Sequence, residues 1–143
     1  MTVNLILSRK GTDVVTIEPT ATVADAAKLL SERRIGAIVV TGPDKLVAGI
    51  LSERDIVRAL GARGAQVLDT QVADMMTRKV VTCARGDTLA ALMEQMTQGK
   101  FRHVPVVEDG KLAGIVSIGD VVKSRLEEME RESDAMREYI RSA

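Results

Sequence analysis

Gly49-Ile50-Leu51-Ser52-Glu53-Arg54-Asp55 and Gly114-Ile115-Val116-Ser117-Ile118-Gly119-Asp120 are one phrase written twice, at an offset of 65 residues. In both copies apolar residues after a glycine predict the end of a strand. Ser52-x-x-Asp55 and Ser117-x-x-Asp120 then predict a helix start, because a serine followed three residues later by an acid can satisfy backbone N–H groups that the first turn leaves unpaired.

The repetition extends outward from these phrases. Val14-Val15-Thr16 matches Val80-Val81-Thr82, Thr22 matches Thr88 and Ala24 matches Ala90, all at an offset of 66. Val39-Val40 matches Val106-Val107 at 67. An offset that drifts by a residue at loops marks a duplicated domain-sized unit rather than a solenoid. Each unit reads as β-α-β-β-α. The first strands are predicted at Asp13 to Ile17 and Lys79 to Cys83, with turns at Pro19 and Gly86. Helices follow, capped by Thr22 and Thr88, with Val23, Ala26, Ala27 and Leu30 in one and Leu89, Leu92, Met93 and Met96 in the other at helical spacing. Ala37 to Thr41 with Leu46 to Leu51, and Val104 to Glu108 with Lys111 to Ser117, are apolar on consecutive positions, as strands covered on both faces are. One unit alone is small for an independent core; two packed together solve that. Gly61 to Asp74 reads as the linker.

Composition narrows the function. The chain has 143 residues, 45% hydrophobic and 28% charged, with 20 basic and 20 acidic side chains and zero formal net charge. No broad field favours nucleic acid or an anionic membrane surface. Phe101 and Tyr139 are the only aromatics, so base-stacking platforms are missing and the core must be aliphatic. One cysteine, Cys83, and one histidine, His103, exclude an intrachain disulfide and Cys- or His-clustered metal sites. No apolar run approaches the roughly 18–20 residues of a membrane span, and no signal pattern opens the chain, so a cytoplasmic setting is expected. Phosphate-binding and dinucleotide glycine motifs are missing, and a single histidine cannot supply a catalytic set. The chain therefore reads as a non-enzyme.

The two Gly-h-h-Ser-x-x-Asp phrases resemble the signature of CBS domains, and Phe101-Arg102-His103-Val104-Pro105-Val106-Val107 is similar to that family's "RHLPV" strand. The resemblance runs from about Ser8 to about Arg125. It implies an α/β (α+β) fold of two CBS repeats, residues 8–66 and 73–130, packed as a pseudo-twofold pair, with a long helical extension over 131–143. It also implies a non-catalytic regulatory module, an energy sensor, with up to two clefts for an adenosine compound: AMP, ADP, ATP or NAD, with S-adenosylmethionine as an alternative. In that setting each helix start offers free N–H groups and a positive dipole end to a phosphate. Ser52 and Ser117 add hydroxyl donors, while Asp55 and Asp120 can accept from both ribose hydroxyls. A purely capping role for both pairs stays open.

Other positions follow from the same resemblance. Thr16 and Thr82 end the first strands and would sit at the cleft mouths, although threonine is also an ordinary strand residue. Ile17 and Cys83 would wall the adenine. Ala37, Ile38, Val104 and Pro105 would frame its slot, or serve structure alone. Arg102 and His103 would approach the phosphates, where an Arg fork suits phosphate oxygens, and Arg54 is a further phosphate candidate. The first repeat reads Arg34-Ile35-Gly36-Ala37-Ile38, without His or Pro, and Gly119 stands where Arg54 does, so the two clefts are expected to be unequal.

Val122, Leu126, Met129, Ser133, Met136 and Ile140 recur at heptad-like spacing beyond Asp120, with Glu127 and Arg131 placed to pair at i, i+4. Such a stripe covers its own domain or packs on a second subunit; a homodimer through Met129 to Ile140 is expected, by analogy with CBS pairs. No effector domain is visible, so a separate, unidentified target protein is expected. The rival reading is a dimerisation scaffold with degenerate clefts.

Overall fold

The structure, a computed structural model, describes residues 1–142; Ala143, the end of the expected extension, lies outside the described residues. The order is α1 (Val3–Lys10), β1 (Thr16–Ile17), α2 (Val23–Arg33), β2 (Ala37–Thr41), β3 (Val47–Ser52), α3 (Glu53–Arg63), α4 (Leu89–Gly99), β4 (His103–Glu108), β5 (Lys111–Ser117) and α5 (Ile118–Ser142). β1-β2-β3 form one sheet, with β1 parallel and β3 antiparallel to β2; β4 and β5 form an antiparallel pair. The mixed α/β architecture with a long last helix is the expected one.

Two aliphatic cores result. One holds Val23, Leu30, Ile38, Val40, Leu51 and Ile56; the other holds Leu89, Leu92, Met96, Val104, Val106, Val116 and Val121. Neither is closed by its own repeat. α1 was not anticipated, and its Val3, Ile6 and Leu7 are buried in the second core. Conversely, the stretch expected to be a linker carries Val67 and Val72, with Met76 just beyond it, into the first core. The two straps are related by the duplication. Val3 and Asn4 N–H donate to the carbonyls of Asp87 and Arg85, while Val72 and Ala73 donate to those of Ala21 and Pro19. Leu89 N–H donates to Met1 and Val23 N–H to Thr70. Each strap thus precedes one repeat in sequence and completes the other in space.

The strand expected over Lys79 to Cys83 does not form. Only Cys83 bridges β4, donating to the carbonyl of Pro105 and accepting from Val107. In a parallel ladder the next bond back would need an N–H at position 105, and proline has none. The counterpart of Pro105 is Val39, which pairs with Ile50 as Pro105 does with Ile115; its N–H survives, and there the two-residue β1 exists. Pro105 itself lies inside β4, paired with Ile115, rather than at its start.

The helices begin as the sequence predicts. Thr22 Oγ1 accepts from Asp25 N–H (3.1 Å) and Thr88 Oγ1 from Ala91 N–H (3.2 Å). α2 and α4 end on Arg34 and Lys100, both in the left-handed region (φ 53° and 56°). α5 buries Val121 and Ser124, whereas Leu126, Met129, Met136 and Ile140 are exposed. Glu127 pairs with Arg9 of α1 rather than with Arg131, which fastens the strap to α5.

Because Leu7 is 2% exposed and packs on Gly114, Leu7→Ala should lower stability by about 2–5 kcal/mol, the range for a buried leucine that leaves a cavity. Urea unfolding measures this; a loss below about 1 kcal/mol would mean that α1 is not part of the second core.

Candidate functional site

β3 runs straight into α3, and β5 into α5, at the repeated phrase. Ser52 N–H donates to Asp55 Oδ2 (3.0 Å) and Asp55 N–H to Ser52 Oγ (3.1 Å). Ser117 and Asp120 repeat this at 2.9 and 3.1 Å. Both are complete capping boxes. The cap leaves chemistry free: each serine hydroxyl accepts from an N–H and keeps its own proton to donate, and each carboxylate engages one oxygen with the cap.

The two helix starts have different surroundings. Asp55 opens on a cleft of about 250 Å³ between the halves. Ser52, Glu53, Arg54, Asp55 and Arg58 line it from the first helix start, Gly36, Ala37 and Ile50 from the first sheet, and Thr77, Lys79, Val80 and Val81 from the strap and the residues after it. Lys100, Phe101, Arg102 and His103 complete it from the second half. Five cationic side chains face two carboxylates, so the lining attracts anions. Lys100 holds its left-handed backbone at this rim, a conformation unusual for a residue with a side chain.

Of the predicted residues, the cleft unites Ser52, Arg54, Asp55, Ala37, Arg102 and His103. It does not take in the others. Ile38 and Val104 are fully buried in the two cores, Cys83 is 5% exposed in the second, and Pro105 is buried in β4. Thr16 and Thr82 are exposed outside the lining, and Ile17 packs against the first core. The apolar wall is Val80-Val81, two residues earlier than Thr82-Cys83. With the strand undone by Pro105, the chain approaches the cleft at a different point. Lys79, Arg58 and Lys100 went unread as well. Arg58 lies one turn beyond Arg54 on the same helix, which was a usable signal; Lys79 and Lys100 reach the cleft only through the packing of the two halves.

Gly36 and His103 lie face to face where the halves meet; in register His103 is the counterpart of Ala37, and Arg102 of Gly36. A Cβ on Gly36 would come 3.2 Å from His103 Cε1. A side chain at Gly36 would crowd the imidazole, and the glycine leaves room for it. Burial, and then the charge of Lys10, hold the His103 imidazole below its ordinary pKa of 6.5, against the opposite pull of Glu53 and Asp120.

At Asp120 the counterpart position is filled. Lys10 Nζ donates to Asp120 Oδ2 (2.8 Å) and to the Ile115 carbonyl (3.1 Å). In the first half the equivalent carbonyl, that of Ile50, is satisfied by Thr77 N–H (2.9 Å). Burial raises the Asp120 pKa, but hydrogen bonds from Lys10 and Ser117 outweigh it, and the carboxyl sits below its usual value. Cys83 is pushed up to about 12 by burial and by Asp87, so it is an inert thiol. Among the described residues, no group of three or more His, Cys, Asp or Glu is placed to hold a metal ion, and no helix is long and apolar enough to cross a membrane.

A family model described as "CBS domain" matches residues 8–62 and 72–127. A mitochondrial CBS domain-containing protein of Arabidopsis thaliana, CBSX3, is 37% identical over 123 residues, 83% of this chain and 60% of that protein. The chain therefore spans less than two thirds of that relative, and it spans 22% of a second Arabidopsis relative. A crystal structure of a CBS-domain-containing protein from Agrobacterium tumefaciens is 51% identical, with a TM-score of 0.84, over 87% of this chain and 99% of that one. Two more distant solved structures are complexes with adenosine compounds. One is CBSX2 with AMP (26% identical, TM-score 0.73, 88% of this chain and 96% of that one). The other is the CBS pair of protein MJ0100 with 5′-methylthioadenosine and S-adenosylmethionine (25%, TM-score 0.77, 91% and 98%).

His103 is held neutral in the folded state, whereas the unfolded chain takes up its proton near the ordinary value. Its contribution to stability is present above pH about 6.5 and is lost as pH falls from there towards the lower folded value. Thermal unfolding across pH 5 to 8 should show that loss, and His103→Gln should remove it; an unchanged slope in the variant would assign the effect to other groups.

Proposed function

The chain belongs to the CBS-domain family, and from that membership we propose that it is a non-catalytic sensor that binds an adenine nucleotide in the Asp55 cleft. The observation that carries this reading is the convergence, in one cleft, of a free carboxylate one turn into a helix, that helix's N-terminus, and cationic side chains from both halves. Asp55 accepts from the two ribose hydroxyls, using the oxygen that its cap leaves open. Val80 and Val81 with Ala37 and Ile50 give the adenine an apolar bed. The phosphates lie towards Arg54, Arg58, Lys79, Lys100 and Arg102, with the free Ser52 hydroxyl as a further donor.

The relatives crystallised with AMP and with adenosyl compounds support the ligand class. The excess of positive charge favours AMP, ADP, ATP or NAD over S-adenosylmethionine, whose sulfonium would meet like charge. NAD carries two phosphates and gains from the same residues. Energy sensing is the use to which a phosphate-counting cleft is best suited. Its output requires different affinities for two states of the protein or of its target. The homodimer through the exposed stripe of α5, the separate target protein and the cytoplasmic setting belong to the same proposal; the Arabidopsis relative is mitochondrial.

Calorimetry with AMP, ADP, ATP, NAD and S-adenosylmethionine is the test. Saturable binding is expected, tightest for a phosphate-bearing compound. Asp55→Ala should weaken it by about 3–6 kcal/mol, the worth of two hydrogen bonds to a charged acceptor, or roughly 150- to 20,000-fold. Arg102→Ala should weaken AMP and ATP while leaving adenosine itself almost unaffected. No saturable binding by any of them would leave the scaffold reading, and turnover of the nucleotide would contradict the non-catalytic one.

A further inference from the structure

The duplication makes two helix starts, and the fold treats them differently. At Asp55 the carboxylate takes only its own cap and faces the open cleft. At Asp120 an ammonium group from another element is already in place, 2.8 Å away. We propose that Lys10 is the built-in occupant of the second helix start, a cation that takes up Asp120 and restricts the chain to one nucleotide.

Three observations carry this. First, Lys10 makes two bonds at the point where a ligand would enter, one to the carboxylate and one to the Ile115 carbonyl. In the first half a backbone N–H of the strap, that of Thr77, does the second of these, and no side chain is spent on the acid. α1 stays helical as far as Lys10, whereas the corresponding strap has left its short turn at Asp74 and runs extended past Ile50. That difference in backbone brings a lysine to this position. Second, the strap is anchored on both sides of its tip, by Leu7 in the second core and by the ion pair of Arg9 with Glu127 on α5. Lys10 is held there rather than free to swing. Third, the second helix start has fewer groups for a phosphate: Gly119 stands where Arg54 does, and Gly36 where Arg102 does. A site with fewer cations for a phosphate, and with its carboxylate neutralised from within, retains the cap and loses the ligand.

This rests on the adenosine reading of the Asp55 cleft, so the experiment separates the two. Titration of the full chain with AMP and with adenosine should give one site per chain, lost in Asp55→Ala. Lys10→Met keeps the length of the stem and removes the charge; it should add a second, weaker site for adenosine that disappears again in Lys10→Met/Asp120→Ala. Two sites in the natural chain, or one site in Lys10→Met, would overturn the proposal. If neither compound binds the natural chain, the adenosine reading fails by itself. Carboxyl NMR then decides for Lys10: the Asp120 pKa should rise in Lys10→Met, and an unmoved Asp120 would show that Lys10 does not hold it.

Discussion

Neither half of this protein can close its own core. Residues 1–7 lie on the second repeat and residues 70–76 on the first, with matched backbone bonds at Val3 and Asn4 and at Val72 and Ala73. A repeat of this size buries too little surface alone. Each one borrows three or so large aliphatic side chains from the segment that leads into its twin: Val3, Ile6 and Leu7 on one side, Val67, Val72 and Met76 on the other. The relative position of the halves follows from this exchange. The cleft exists because of it, since Thr77 to Val81 enter the lining as the continuation of the strap that has just completed the first core.

Perfect twofold symmetry would give two equal clefts, and it fails where the halves touch. His103 of the second repeat faces Gly36 of the first at close range, while the counterpart of His103 itself is the small Ala37. The other differences lie around this contact. Pro105 removes one ladder donor and, with it, the second copy of β1. α1 runs on to Lys10 where its counterpart turns extended. Gly119 stands where Arg54 does. The outcome is one half-open, cation-rich cleft and one helix start whose acid is already paired. Duplication supplied the frame, and divergence at the contact decided which side is open.

The sequence was most informative wherever a local rule governs. Both Ser-x-x-Asp phrases are helix caps, Thr22 and Thr88 cap their helices, and β2 to β5 fall where consecutive apolar residues place them. Asp55, Ser52, Arg54 and Arg102, each singled out from the sequence, line one cleft. What stayed hidden depends on long-range packing. α1 has buried residues at positions 3, 6 and 7, a short pattern easily taken for an irregular lead-in. Val67 and Val72 sit in polar surroundings that read as linker. Lys79 and Lys100 are unremarkable alone and become cleft residues only when the halves dock. The missing strand at Lys79 to Cys83 shows the same limit in reverse. Its residues have every local preference for a strand, but its partner has a proline at the one position that had to donate.

How occupancy is transmitted follows from which segments surround the open cleft. Ser52 to Arg58 and Gly36 belong to the first half, Lys100 to His103 to the second, and Thr77 to Val81 to the strap between them. On the proposed reading, a nucleotide held by Asp55 at its sugar and by Arg102 and Lys100 at its phosphates is bound by both halves at once. It therefore favours whichever spacing of the halves lets both ends bond, and disfavours any spacing that separates them. The same strap is packed into the first core through Val72 and Met76, so a change of spacing cannot occur at the cleft alone. It must be accommodated along the strap or at the contact between Gly36 and His103. His103 lies between the open cleft and the Lys10–Asp120 pair, with Glu53 near it on one side and Asp120 acting on it from the other. A shift of the halves therefore alters the surroundings of a single imidazole that responds to both helix starts, which makes that side chain the physical link between them.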